Sequence, residues 1–158
     1  MKIKIVKKGD RNLLVCTRVD GSVEMADLGP QLPFHDIAHF LIERHLMLKH
    51  GFYGNIYHGY SVRELSSKEV IMTLNAESTI AEILTRALQA VGSGAGSADQ
   101  FMAMVSDELS RYSIDYRPAL DRTDVARLAV QYRELTENWK ALQQSESIEL
   151  DFPIENWT

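Results

Sequence analysis

Three of the five histidines fall in one short stretch, Phe34-His35-Asp36-Ile37-Ala38-His39-Phe40-Leu41-Ile42-Glu43-Arg44-His45. At about 100° per residue in a helix, His35, His39 and Glu43 share one stripe. Imidazole and carboxylate suit zinc, iron, manganese or nickel, and two histidines four apart bring two ring nitrogens within reach of one ion. Residues eight apart are separated by about 12 Å along a helix axis, so His35 and Glu43 are poorly placed to share an ion and His39 must be the pivot. A site would pair His35 with His39, or His39 with Glu43, and complete itself from elsewhere, for instance with His58, Asp99, Asp107 or Glu108. The candidate ligands of a divalent metal are thus His35, His39, Glu43 and His58. Asp36 is placed to orient a ligand imidazole from behind.

The same residues have a plainer reading. Histidines at a helix–sheet seam hydrogen-bond carbonyls or carboxylates, and Asp36 in a first turn favours the helix dipole. The order His-Glu-x-x-His, which gives a metalloprotease its general base, is missing, so hydrolysis is not implied. There is no Gly-x-Ser-x-Gly elbow for a serine nucleophile and no Gly-x-Gly-x-x-Gly after a strand for a dinucleotide. The run Gly92-Ser-Gly-Ala-Gly-Ser97 lacks the Gly-Lys-Ser/Thr ending of a phosphate loop and reads as a flexible helix-to-helix connection. Cys16, the single cysteine, excludes an intrachain disulfide and a paired-cysteine metal motif. Beside Val15 in a strand it reads as a buried, inert thiol. Tyr53, Tyr57 and Tyr60 read as packing residues.

The elements that would carry these residues follow from periodicity. Residues 2–7 and 12–19 alternate through Ile3, Ile5, Leu13, Val15 and Val19, with Gly9-Asp10 as a turn between them. Asp20-Gly21 predicts a type I′ hairpin turn into a third strand over 22–27. Pro30 and Pro33 stop the sheet, and a helix is expected over 34–50, ending at Gly51. The glycine- and aromatic-rich run 51–59 predicts a tightly turned segment, with room for a short helical turn. Ser66 and Glu69 fit a capping box opening a helix through Leu74, although Val70–Leu74 also suits a strand. Further helices are expected from Asn75 to Gly92, from the Ser97/Gln100 capping box to Tyr112, and over 121–143. A last strand over 147–152 should return to the meander edge. The expected fold is α+β, a single domain over 1–158. A small antiparallel sheet, an N-terminal three-stranded meander over 1–28 plus the C-terminal strand, packs against several α-helices within 34–143.

A chain of 158 residues with 45% apolar and 25% charged side chains can bury a core without a metal or disulfide. Its apolar runs are far shorter than the roughly 20 residues of a membrane span, and its start alternates basic and apolar residues unlike a secretory signal. A cytoplasmic protein with no membrane partner is expected. The net charge of −5, with scattered Lys and Arg, offers nucleic acid no patch. The stripe Val125, Leu128, Tyr132, Leu135 and Trp139 on the helix 121–143 is a candidate homo-oligomer interface.

One likeness can be drawn on particular residues. Arg18-Val-Asp-Gly-Ser22, Leu32-Pro-Phe-His-Asp-Ile-Ala-His39, Glu43, Gly51-Phe-Tyr-Gly54 and Gly59, with a late Trp139 before a strand, resemble an uncharacterised group of small bacterial proteins. In that group an Arg-x-Asp-Gly turn precedes a His-Asp-x-x-His helix and a Gly-Phe-Trp-Gly segment; Tyr53 stands here where Trp is expected. The resemblance covers the first sixty residues well, implies a bacterial origin and a fold unit, and transfers no activity. Two functions are left in competition: a binding or regulatory module, for an unknown small-molecule ligand, and a metal-dependent enzyme with its site on the helix 34–50.

Overall fold

The computed structural model describes residues 1–94, 96–154 and 157. Ala95, within the 92–97 connection, and the terminal residues 155, 156 and 158 of the expected domain lie outside the described residues. The strands β1 (Lys2–Val6), β2 (Asn12–Thr17), β3 (Val23–Leu28) and β4 (Ser147–Asp151) form one antiparallel sheet in the order β3-β2-β1-β4. The architecture is α+β, and the C-terminal strand closes onto β1, the free edge of the N-terminal meander. Alternation decides the faces: Ile3, Ile5, Leu14, Cys16 and Ile148 point into the core, while Lys2 and Lys4 face Asp151 and Glu149 across β1 and β4 on the outside. These outer ion pairs are solvated and add little stability.

The hairpin between β2 and β3 departs from the expected type I′ turn. Only Gly21 adopts positive φ, at +83°, while the Gly21 N–H donates to the Arg18 carbonyl at 3.1 Å and Arg18 N–H to the Ser22 carbonyl at 2.9 Å. This is a type I turn followed by a left-handed glycine, the three-residue hairpin loop. Asp20 stabilises it without leaving ordinary φ, because its Oδ1 accepts from the Ser22 N–H at 2.9 Å and from the Ser22 hydroxyl at 2.7 Å.

Helix α1 (Leu32–Leu46) starts earlier and stops earlier than its apolar pattern suggests. Pro33 lies in its first turn, where no intrahelical N–H bond is lost, so it opens the helix rather than standing before it. The helix ends at Met47, in the left-handed region at φ 53°, not at Gly51. Every residue from Asp36 to Glu43 is buried, because α1 packs against α5 (Ala76–Gly92), α7 (Arg122–Ala141) and α2 (Phe52–Tyr57). The run 51–59 thus contains a true short helix, α2, capped by Gly51.

The 60–75 segment folds as two single turns, α3 (Val62–Leu65) and α4 (Lys68–Ile71), not as a strand. The capping box there is Ser61/Glu64, and Ser66, the expected N-cap, closes α3 instead. α6 (Ala98–Arg111) has the expected Ser97/Gln100 box, and α7 has one from Asp121 and Asp124. On α7, Val125, Leu128, Tyr132 and Trp139 are buried, so the stripe proposed for helix pairing is covered within the chain by α5 and α1. Gly92 ends α5 where any side chain would collide with the Tyr132 ring. No helix among the described residues is long and apolar enough to cross a membrane.

Candidate metal centre

The site is built from α1, whose buried stretch includes three polar side chains that a core helix would ordinarily exclude, Asp36, His39 and Glu43. His39 is 4% exposed and Glu43 is fully buried. The Glu43 carboxylate is held by four donors. Its Oε1 accepts from His39 Nδ1 at 3.0 Å and from the Phe52 N–H at 2.8 Å; its Oε2 accepts from the N–H groups of Tyr53 at 3.0 Å and Gly54 at 3.2 Å. It therefore satisfies the unpaired N–H groups at the start of α2, a task for which a charged acceptor is best suited. Gly51 is required by this contact, and Gly54 by a close approach of the backbone. A Cβ at Gly51 would overlap the Glu43 carboxylate, and one at Gly54 would overlap the Lys49 carbonyl.

An ionised carboxylate has only lone pairs to offer, so His39 donates from Nδ1, and in the neutral ring its Nε2 is left as the acceptor nitrogen. His35 is set in the same way. Its Nδ1 meets the Gln89 side-chain oxygen at 2.8 Å, which turns Nε2 away from α5's amide. The two Nε2 atoms then face each other at 3.1 Å, with the rings edge-on at 84°. Glu82 of α5 completes the group: its Oε2 lies 3.1 Å from His39 Nε2 and 3.4 Å from His35 Nε2. Arg86, one turn on, contacts the other oxygen of Glu82 at 3.9 Å and is itself held by Glu108 at 2.5 Å.

Three acceptor atoms thus converge, all within 4.8 Å of one another. Such a cluster needs a proton or a cation between its members. First-row metals bond nitrogen and carboxylate oxygen at about 2.0–2.2 Å, which separates adjacent ligand atoms by about 2.9–3.5 Å in octahedral to tetrahedral geometry. The observed separations of 3.1, 3.1 and 3.4 Å fall in that range. Both imidazoles are backed through their second nitrogen, the arrangement that fixes ligand tautomers in metal sites.

Electrostatics in the metal-free protein agree with a site that wants positive charge. Burial disfavours a charged His39, but hydrogen bonds to Glu43 and Glu82 and their charges outweigh it and lift the ring to about 9. Burial likewise opposes the charge on Glu82, yet the bonds to His35 and His39 hold its carboxyl well below the usual range. Asp36, 3% exposed, is pushed up to about 6 by burial, against the pull of His39 and His35.

Of the residues singled out by sequence, His35 and His39 come together. Glu43 stands behind His39 rather than beside the trio. His58 lies elsewhere, stacked on His50 at 5.2 Å and on Trp157 at 5.9 Å. Asp99 pairs with Arg122, and Glu108 reaches the trio only through Arg86. Asp107 is not part of the trio. Burial drives the Cys16 thiol up to about 12, an inert group.

The trio lines a pocket of about 450 Å³ between α1, α5 and the α3–α4 segment. Leu28, Leu32, Leu65, Ile71 and Leu74 form its apolar wall, and His35, Asp36, His39 and Glu82 its polar floor. No protein-family model, curated protein or solved structure matches the chain.

Proposed function

We propose that this chain binds one divalent first-row metal ion through His35 Nε2, His39 Nε2 and Glu82 Oε2, and acts as a metal-dependent enzyme on a small molecule held in the adjoining pocket. The observation that carries this reading is the convergence of three lone-pair atoms whose partners, Glu43 and Gln89, leave both Nε2 nitrogens free to coordinate. Three protein ligands leave at least one coordination position for water or substrate, the mark of catalytic rather than structural metal sites. A pocket of about 450 Å³ is within the range that takes small organic ligands. The metal would polarise a bound oxygen or nitrogen, and the chain's own residues would hold the ligand nitrogens in register. The buried, unpaired Cys16 fits a reducing, cytoplasmic setting. The likeness to the bacterial group belongs with this proposal, since His35, Asp36, His39, Glu43, Gly51 and Gly54, which carry it, surround the one site.

A binding module without metal is the competing reading. It is favoured by the fact that one proton on His39 Nε2 would bridge to Glu82 Oε2 at 3.1 Å and close the network by itself. Elemental analysis of protein purified without chelators separates the two. Near-stoichiometric zinc, iron, manganese or nickel in the parent, lost in His39→Ala and in Glu82→Gln, supports the metal reading. Absence of metal after incubation with each ion overturns it.

A further inference from the structure

The metal trio does not account for Asp36. This side chain lies on the same face of α1 as His39, three residues away, lines the pocket and is 3% exposed. Its Oδ2 is buried and meets no donor among the described residues. Several donors that line the same pocket are turned to other acceptors. Asn55 Nδ2 donates to the His50 carbonyl at 3.1 Å and to Ser78 Oγ at 2.9 Å, and the Ser78 hydroxyl donates to the same carbonyl at 2.5 Å. The Tyr53 hydroxyl donates to the backbone carbonyl of Asp36, not to its carboxylate. Arg86 is bound by Glu82 and Glu108. A buried carboxylate oxygen without a donor is costly, and native proteins rarely retain one without a use.

Much of the remaining lining is apolar, and part of it is wet: Leu32 is 45% exposed and Ile71 is 50% exposed. A molecule with an apolar body would cover these side chains while its head reached the polar floor. A carboxylate head placed against Asp36 would be repelled by it.

We propose that the pocket takes a small molecule with an apolar body and a single hydrogen-bond-donating head, a hydroxyl or an amino group, whose hydrogen is accepted by the Asp36 carboxylate. Asp36 is thus the residue that selects the ligand, while His35, His39 and Glu82 hold the metal beside it. This rests on the pocket being the functional site, but the recognition itself needs no metal.

The test uses chelator-stripped protein, so that it is decided apart from the metal reading, with metal uptake measured on the same samples. Four probes of matched size are titrated by calorimetry: 1-hexanol, hexylamine, hexanoate and pentyl methyl ether, the last an isomer of hexanol with no donor. At least one of the two donors should bind the parent roughly tenfold or more tighter than the ether, the worth of a hydrogen bond to a charged acceptor. Hexanol against hexylamine then tells whether the head is neutral or cationic. In Asp36→Leu, which removes the acceptor at similar volume, that preference should collapse to near unity, with a melting temperature at or above the parent's. Asp36→Asn, the milder change, should reduce the preference severalfold. Equal binding of hexanol, hexylamine and ether to the parent, no binding of any probe, or a preference that survives in both variants overturns the proposal.

Discussion

Replacing Glu43 with glutamine tests whether one carboxylate ties the metal centre to the fold. In the parent, four donors converge on it: His39 Nδ1 and the N–H groups of Phe52, Tyr53 and Gly54. A glutamine keeps one oxygen, which can serve Tyr53 and Gly54, and turns an amide NH₂ toward Phe52 and His39. Each buried donor left without an acceptor costs about 1–3 kcal/mol, so two stranded donors cost about 2–6 kcal/mol. His39 can reduce this to about 1–3 kcal/mol by giving up its Nδ1 proton, accepting from the amide instead and keeping its proton on Nε2. That escape removes the lone pair on which metal binding depends, so Glu43→Gln must lose stability, metal affinity or both. At about 2–4 °C per kcal/mol for a domain of this size, the melting temperature of metal-free protein should fall by at least about 2 °C and up to about 24 °C. Metal affinity should drop roughly 10–100-fold, as for other carboxylates behind ligand histidines. Thermal denaturation in chelator and zinc titration by calorimetry give the two numbers. A Glu43→Gln protein with the parent's melting temperature and the parent's zinc affinity would refute the reasoning.

Other predictions follow from neighbouring contacts. Gly51→Ala has no backbone strain to explain a loss, since Gly51 has φ −73°, yet its Cβ would overlap the Glu43 carboxylate; urea denaturation should show a cost of about 1–3 kcal/mol from overpacking. In the metal-free protein, His39 is raised from 6.5 to about 9, with burial opposing and Glu43 and Glu82 outweighing it. Its stabilising contribution is therefore complete below pH 6.5 and lost as pH rises through about 9, which urea midpoints measured between pH 6 and 10 in chelator will test. Zinc affinity should rise over the same interval, because the ion displaces that proton; a flat profile contradicts the assignment. Cys16 should resist a thiol reagent in the folded protein and react fully in denaturant; fast labelling of the native state contradicts its burial.

Much of this architecture is legible in the sequence because period-two and period-3.6 patterns act locally. Ile3 and Ile5 mark β1, and the spacing from Ile80 to Val91 marks α5, regardless of what they pack against. Boundaries set by distant partners are not legible in that way. The apolar pattern runs past Met47, but α1 ends there, and Gly51, which reads as a helix stop, is instead the residue that admits the Glu43 carboxylate. The Ser66/Glu69 pair has the spacing of a capping box, yet Ser61/Glu64 has it too and lies at the true start of a turn. At the site, His35 and His39 are found from their own helix. Glu82 comes from another helix, 43 residues beyond His39 in the chain. Its signal is a faint one: Glu82, Arg86 and Gln89 make a polar stripe along α5 beside a full apolar face, and all three engage the histidine cluster or its supports.

The most direct measurement is anomalous diffraction at the zinc absorption edge from crystals of zinc-loaded protein. A single strong peak within about 2.0–2.2 Å of His35 Nε2, His39 Nε2 and a Glu82 oxygen, with Glu43 still bonded to His39 Nδ1, is the predicted result. A peak at His50 and His58, or none in the pocket, would contradict the account.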